Sequence, residues 1–178
     1  MSADTFSLVP FPGRPAPEVQ LAAVSRRQRA ELLLCFLLRG AIGELVLPEP
    51  ASAPARRDGL WQESCFELFL APGGEARYWE VNLSPAGHWN VYAFAGYRDG
   101  RRPEPGIESL SCTVVREAES LALTAVLPTG GWLPAGEPLQ LGLSAVLQER
   151  SGPLSYWALT HPAEQPDFHH RQGFTVTL

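Results

Sequence analysis

The chain predicts an antiparallel β-sandwich, and three observations carry that expectation. Short runs with period-two alternation recur along almost its whole length. The 178 residues include 16 glycines and 17 prolines, a composition that fits many turns between short strands rather than long helices. Only one segment, 26–39, is compatible with a helix. Some nine or ten strands in a chain of this size fit one domain, residues 1–178, with a core of its own.

In order, Phe6 to Val9 alternates weakly and reads as a first strand. Pro10 to Pro17 holds four prolines and a glycine and reads as a loop. Glu18 to Ala23 alternates again. From Arg26 to Arg39, Ala30, Glu31 and a row of leucines have good helix propensity. The run Leu32 to Leu38 fits a strand buried on both faces equally well. Gly40 and Gly43 close the segment quickly and its neighbours are strand-like, so we read it as strand. Pro48 to Pro54 is a loop that leads to Arg56-Arg57-Asp58-Gly59.

Leu60 to Arg98 is the centre of the chain. Three strand-like runs, Leu60–Leu70, Tyr78–Pro85 and Trp89–Phe94, are separated by the turns Pro72-Gly73-Gly74 and Pro85-Ala86-Gly87. Alternation sends Phe66, Leu68 and Leu70 to one face and Cys65, Glu67 and Phe69 to the other. Likewise Trp79, Val81 and Leu83 oppose Tyr78, Glu80 and Asn82. One face is oily. The second brings carboxylates, an amide and aromatic rings together.

Gly96 to Ile107 reads as a polar loop. Glu108–Glu117 and Leu121–Leu127 then form a hairpin, and Pro128–Pro138 another loop. Leu139 to Gln148 alternates, with Leu139, Leu141, Leu143, Ala145 and Leu147 on one side. A turn at Ser151-Gly152-Pro153 leads to Leu154–Thr160. His161 to His170 is a polar loop, and Phe174–Leu178 a closing strand.

The net charge of -5 argues against nucleic acid as a partner, because phosphate binding needs a basic surface. The longest apolar run, Leu32 to Leu38, is far short of a membrane span. No basic segment followed by an apolar one opens the chain, so a cytoplasmic location is expected. The three cysteines, Cys35, Cys65 and Cys112, form no C-x-x-C pair and sit in apolar runs, which suggests buried free thiols. There is no P-loop, dinucleotide fingerprint or Ser/His/Asp motif. Nothing in the sequence speaks to oligomeric state.

At Trp61-Gln62-Glu63-Ser64-Cys65-Phe66-Glu67, Tyr78 to Pro85, Trp89-Asn90-Val91-Tyr92 and Tyr156 to Pro162, the chain resembles the DOMON-like superfamily. Within it, the likeness is to a bacterial group of unassigned function and, more distantly, to family-9 carbohydrate-binding modules. The pattern is an aromatic, an acidic residue six places on, then a strand with Glu-x-Asn. The resemblance implies a β-sandwich with a ligand site on one sheet. It also implies Trp61 and Trp157 as ring walls around a sugar, with Glu67 as the carboxylate. The arginine that those modules use has no clear counterpart here.

The residues themselves support a saccharide site. A sugar ring packs its C–H groups on an aromatic face, and its hydroxyls need paired donors and acceptors. Trp61, Trp157, Glu67, Glu80, Asn82, Asn90 and Tyr92 supply both. Any one tryptophan is more often core than ligand wall. The polar set would be costly inside an apolar core without partners. The expected function is therefore a non-catalytic module for a small saccharide-like ligand.

Two alternatives stand beside it. Other superfamily members hold haem through Met and His, but this chain has only Met1. A haem or divalent metal would need histidines such as His161 or His169 with Asp167, although a loop held by His and Asp hydrogen bonds accounts equally for that cluster and His170. Glu67 and Glu80 could alternatively form the carboxyl pair of a glycoside-active enzyme.

Overall fold

The structure is a computed structural model and describes residues 4–28, 30–134 and 136–178. Among these, the chain forms twelve strands and no α-helix. They are β1 Asp4–Pro10, β2 Val19–Gln28, β3 Glu31–Gly40, β4 Cys65–Pro72, β5 Tyr78–Leu83 and β6 Trp89–Phe94. β7 Arg102–Pro103, β8 Ser111–Arg116, β9 Ser120–Pro128, β10 Leu139–Gln148, β11 Leu154–Ala158 and β12 Val176–Thr177 follow. Short 3-10 turns occupy Ile42–Glu44, Leu60–Gln62 and Arg171–Gly173.

The ladders between these strands are antiparallel. They run in the order β7-β6-β5-β4-β10-β11-β1-β2-β3-β9-β8, with β12 added to β10. β1 turns the corner. Residues Asp4 to Leu8 pair with β2, whereas Val9 and Pro10 pair with β11. The ribbon therefore folds on itself into two layers. The site sheet is β7-β6-β5-β4-β10-β11, and the back sheet is β1-β2-β3-β9-β8. Between them, Phe36 of β3 stacks on Phe66 of β4 with ring centroids 5.1 Å apart. Alternation fills this core with Leu32, Leu34 and Leu38 from one side and Leu68, Leu70, Val81 and Val91 from the other, all at or near zero exposure. Each such side chain contributes roughly 1.5–3 kcal/mol of burial.

Three readings of the sequence need correction. Residues Arg26 to Gln28 end β2 rather than begin β3, so the segment 26–39 is a hairpin arm pair. Its turn includes Arg29, outside the described residues. Leu60–Gln62 is a 3-10 turn, entered through Gly59 at φ 75°, and the strand starts only at Cys65. The polar loop 96–107 contributes the two-residue strand β7 at the sheet edge.

The apolar run of β3 is covered on one face only. Its even positions are buried, while Leu33 is 37% exposed. The cysteines are free, as expected, but only Cys65 is fully buried, whereas Cys35 and Cys112 are partly exposed.

Candidate functional site

The outer face of the site sheet is also covered, which is why β4, β5 and β6 are buried at every position. Gly142 on β10 makes room for part of that cover. A Cβ there would stand 2.9 Å from the Phe174 ring. The remaining cover comes from the Leu60–Gln62 turn, the β6–β7 loop and the loop before Phe174. Between these loops lies a cleft of about 620 Å³, within the size range of small-ligand sites.

Strand register builds its floor. Ser144, Glu67, Asn82 and Asn90 form one cross-strand row. Phe69, Glu80 and Tyr92 form the next. Glu67 and Glu80 are diagonal neighbours, with Cβ atoms roughly 7–8 Å apart by sheet geometry. Both carboxyls line the cleft although their residues are only 3% and 5% exposed.

Burial pushes Glu67 well above the usual carboxylate range. The Glu80 charge adds to this, and Arg98 opposes it. Burial likewise raises Glu80, against the Asn82 hydrogen bond and the charges of Arg101 and Arg98. Asn82 Nδ2 donates to Glu80 Oε1 at 2.8 Å. The Ser144 hydroxyl, opposite Glu67 in register, has no hydrogen-bond partner.

A hydrogen-bonded chain sets the state of His169. The Arg98 backbone N–H donates to the Tyr78 phenol at 3.1 Å, and that oxygen lies 2.8 Å from His169 Nδ1. Burial pushes Tyr78 up to about 12, so its O–H is intact and donates to Nδ1. The network therefore assigns the imidazole proton to Nε2, which is 3.8 Å from Glu80 Oε2. Burial, then the Arg98 charge, lowers His169 to about 4. The ring is neutral at pH 7, so this contact is a neutral donor facing a carboxyl and not an ion pair.

The walls are aromatic and cationic. Trp61 meets Tyr92 edge to face at 5.8 Å, and the Arg101 guanidinium lies 5.1 Å from each ring. Tyr156 and Phe168 close the opposite side at 6.1 Å from each other. Arg98 also lines the cleft, with its backbone at φ 52°. A left-handed non-glycine residue is held there by the surrounding contacts.

The predicted residues therefore divide. Trp61, Glu67 and Glu80 line the cleft, as does His169. Asn82, Asn90 and Tyr92 lie beneath or beside it. Asn90 Nδ2 donates to Tyr92 Oη at 2.8 Å, and Tyr92 donates to Asp58. These residues brace the wall and do not line the cleft.

Trp157 must be corrected. It points into the sandwich core at 4% exposure, in register with Ala145, and its Nε1 donates to Ser155 Oγ at 3.0 Å. The preceding residue, Tyr156, faces the cleft, because a shift of one position in a strand reverses the face. The register was available from the alternation of Leu139 to Leu147, which assigns Ala145 to the apolar side.

The His/Asp loop does not converge on a metal. His161 Nε2 lies 2.9 Å from the Val9 carbonyl, and its ring packs edge-on to Phe11. His170 Nδ1 accepts from Gln172 N. Asp167 binds Arg98 and Tyr97. Among the described residues, no group of three or more His, Cys, Asp or Glu could hold a metal ion. The residues do not fit Met/His haem ligation either. Met1 is the chain's single methionine, and it lies outside the described residues. His169 Nδ1 already bonds Tyr78, while Nε2 faces Glu80.

Arg98, Arg101, Tyr156 and Phe168 were not singled out from sequence. Arg98 and Arg101 sat in a segment that carried no signal beyond being polar.

The fold and cleft place this chain among β-sandwiches with a site on one sheet. Two solved structures share that fold. One is a candidate carbohydrate-binding protein from Bacteroides uniformis, with TM-score 0.75 and 17% identity over 97% of this chain and 84% of that one. The other is a family-9 carbohydrate-binding module from Caldicellulosiruptor kristjanssonii in complex with cellotriose, with TM-score 0.58 and 10% identity over 97% and 80%. No protein-family profile matches the chain, and no curated protein does.

Proposed function

We propose that this protein is a saccharide-binding module of the DOMON-like type, with its ligand in the cleft over β4 to β6. The observation that carries the reading is a pair of buried carboxyls, Glu67 and Glu80, aimed into an open cleft rather than paired inside the core. Keeping such groups buried is costly unless something in the cleft uses them. Sugar hydroxyls are suitable partners. They donate to carboxylate oxygens and accept from His169 Nε2 and from the guanidinium groups of Arg98 and Arg101. Trp61 on one side and Tyr156 with Phe168 on the other offer ring faces for the C–H surface of a pyranose. The cellotriose complex of a structure sharing this fold supports the ligand class.

Isothermal titration with glucose, cello-oligosaccharides and other common saccharides tests the reading. At least one should bind, and Glu67→Gln and Trp61→Ala should each weaken it by roughly tenfold or more. If none of these sugars binds, or if binding survives both substitutions unchanged, the cleft is not a saccharide site.

A further inference from the structure

The run Leu32 to Leu38 is apolar at every position, the pattern of a strand covered on both sides. Within this chain its odd positions face outward, and the same holds across the back sheet. The outward residues form three cross-strand rows. The first is Ser7, Ala22, Leu37, Ala122 and Val115; the second is Thr5, Val24, Cys35, Thr124 and Thr113. The third is Arg26, Leu33, Val126 and Ser111. Arg26, at one end, is the sole charge in these rows. An outer face of an antiparallel sheet ordinarily carries the polar half of the alternation. Here Leu33 is 37% exposed and Val115 55%.

From this face we infer that the protein forms a two-fold dimer by packing back sheet on back sheet. Area and relief favour a second copy as the occupant. Five strands about 4.8 Å apart, averaging about eight residues at 3.3 Å each, give a footprint near 650 Å² before side-chain relief is counted. A standard interface covers about 800 Å² per partner. Leu33, Cys35 and Leu37 form a ridge along β3, between lower lanes at Ala22 and Val24 and at Ala122 and Thr124. A ridge and a trough on one face are what a self-complementary, two-fold contact needs. The chain carries net charge -5, yet these rows hold almost none of its charge, so two copies meet without like-charge repulsion. A partner selected by charge would find almost nothing here to read. A lipid surface would call for aromatic or basic anchors that the rows lack.

Sedimentation velocity of the full chain across a concentration series tests this, with Leu37→Arg as the variant. The wild type should sediment as two chains at high concentration. Leu37→Arg should raise the dimer dissociation constant by at least roughly tenfold, because it buries an unpaired charge. The backbone already accepts an outward arginine at Arg39, two residues along β3, and circular dichroism verifies the fold of the variant. Val115→Glu, at the exposed margin, provides an independent second variant. A wild type that is monomeric throughout overturns the inference. So does a dimer that both correctly folded variants leave intact, or a monomer that instead floats with lipid vesicles.

Discussion

Arg98 Nη2 lies 2.9 Å from Asp167 Oδ1, and this contact joins the two loops that frame the cleft. The Asp167 carboxylate also accepts from Tyr97 Oη at 2.7 Å and from the His169 backbone N–H at 3.1 Å. Burial opposes its charge, but the hydrogen bonds from Tyr97 and Arg98 prevail and hold it below the usual aspartate range. Asp167 was considered as a metal ligand. Its position makes it the latch of the cleft.

Removing that latch should loosen the site more than the fold. The ion pair is half exposed on the Arg98 side and is worth at most about 1 kcal/mol alone. Asp167→Ala also strands Tyr97 and the His169 amide. Hydrogen exchange should speed up across 162–173 while global melting shifts by only a few degrees. Saccharide affinity should fall by about tenfold, measured by titration.

The two tryptophans once paired by sequence should respond in opposite ways. Trp61→Ala takes away a partly exposed cleft wall, so affinity should drop roughly 10- to 100-fold with little change in melting temperature. Trp157→Phe shrinks a core side chain and should destabilise by about 1–3 kcal/mol while leaving affinity within roughly twofold. Melting curves and titrations on both variants check this directly.

His169 makes stability depend on pH. Its folded value, about 4, lies below the ordinary 6.5, so the unfolded chain binds more protons between these values. Stability from this group is full above about 6.5 and is lost as pH falls toward 4. The loss is at most roughly 3 kcal/mol. Denaturant midpoints measured from pH 7 to pH 4 should fall, and His169→Gln should flatten that slope.

Glu67 acts with the opposite sign. Its folded value is raised, so its contribution to stability is complete below the unfolded value and is lost as pH rises through the folded one. Ligand binding should run against this. Sugar hydroxyls donate to the ionised carboxylate, so affinity should grow as pH rises, with release of a proton. Titration in buffers of different ionisation enthalpy should detect that proton in the wild type and not in Glu67→Gln.

Much of this arrangement was legible in the chain. The period-two runs and the Gly/Pro turns named the strands, and alternation in β4 and β5 assigned Glu67 and Glu80 to one face and Phe66 and Val81 to the other. Those assignments depend on local geometry alone, in which successive side chains point to opposite sides. The exact start of β4 and the break between β2 and β3 were lost, because a 3-10 turn and a tight hairpin interrupt apolar runs without changing their composition.

Which side chains share a cleft was a different question. Tyr156 and Trp157 are adjacent aromatics, and only pairing with Val146 and Ala145 tells which of them faces the core. Arg98, Arg101 and Phe168 arrive from loops whose paths depend on contacts made far along the chain, such as Arg98 with Asp167. Alternation sets the face of a residue because it is a property of one strand. Convergence at a site is a property of register and loop packing, which exists only once the strands are assembled.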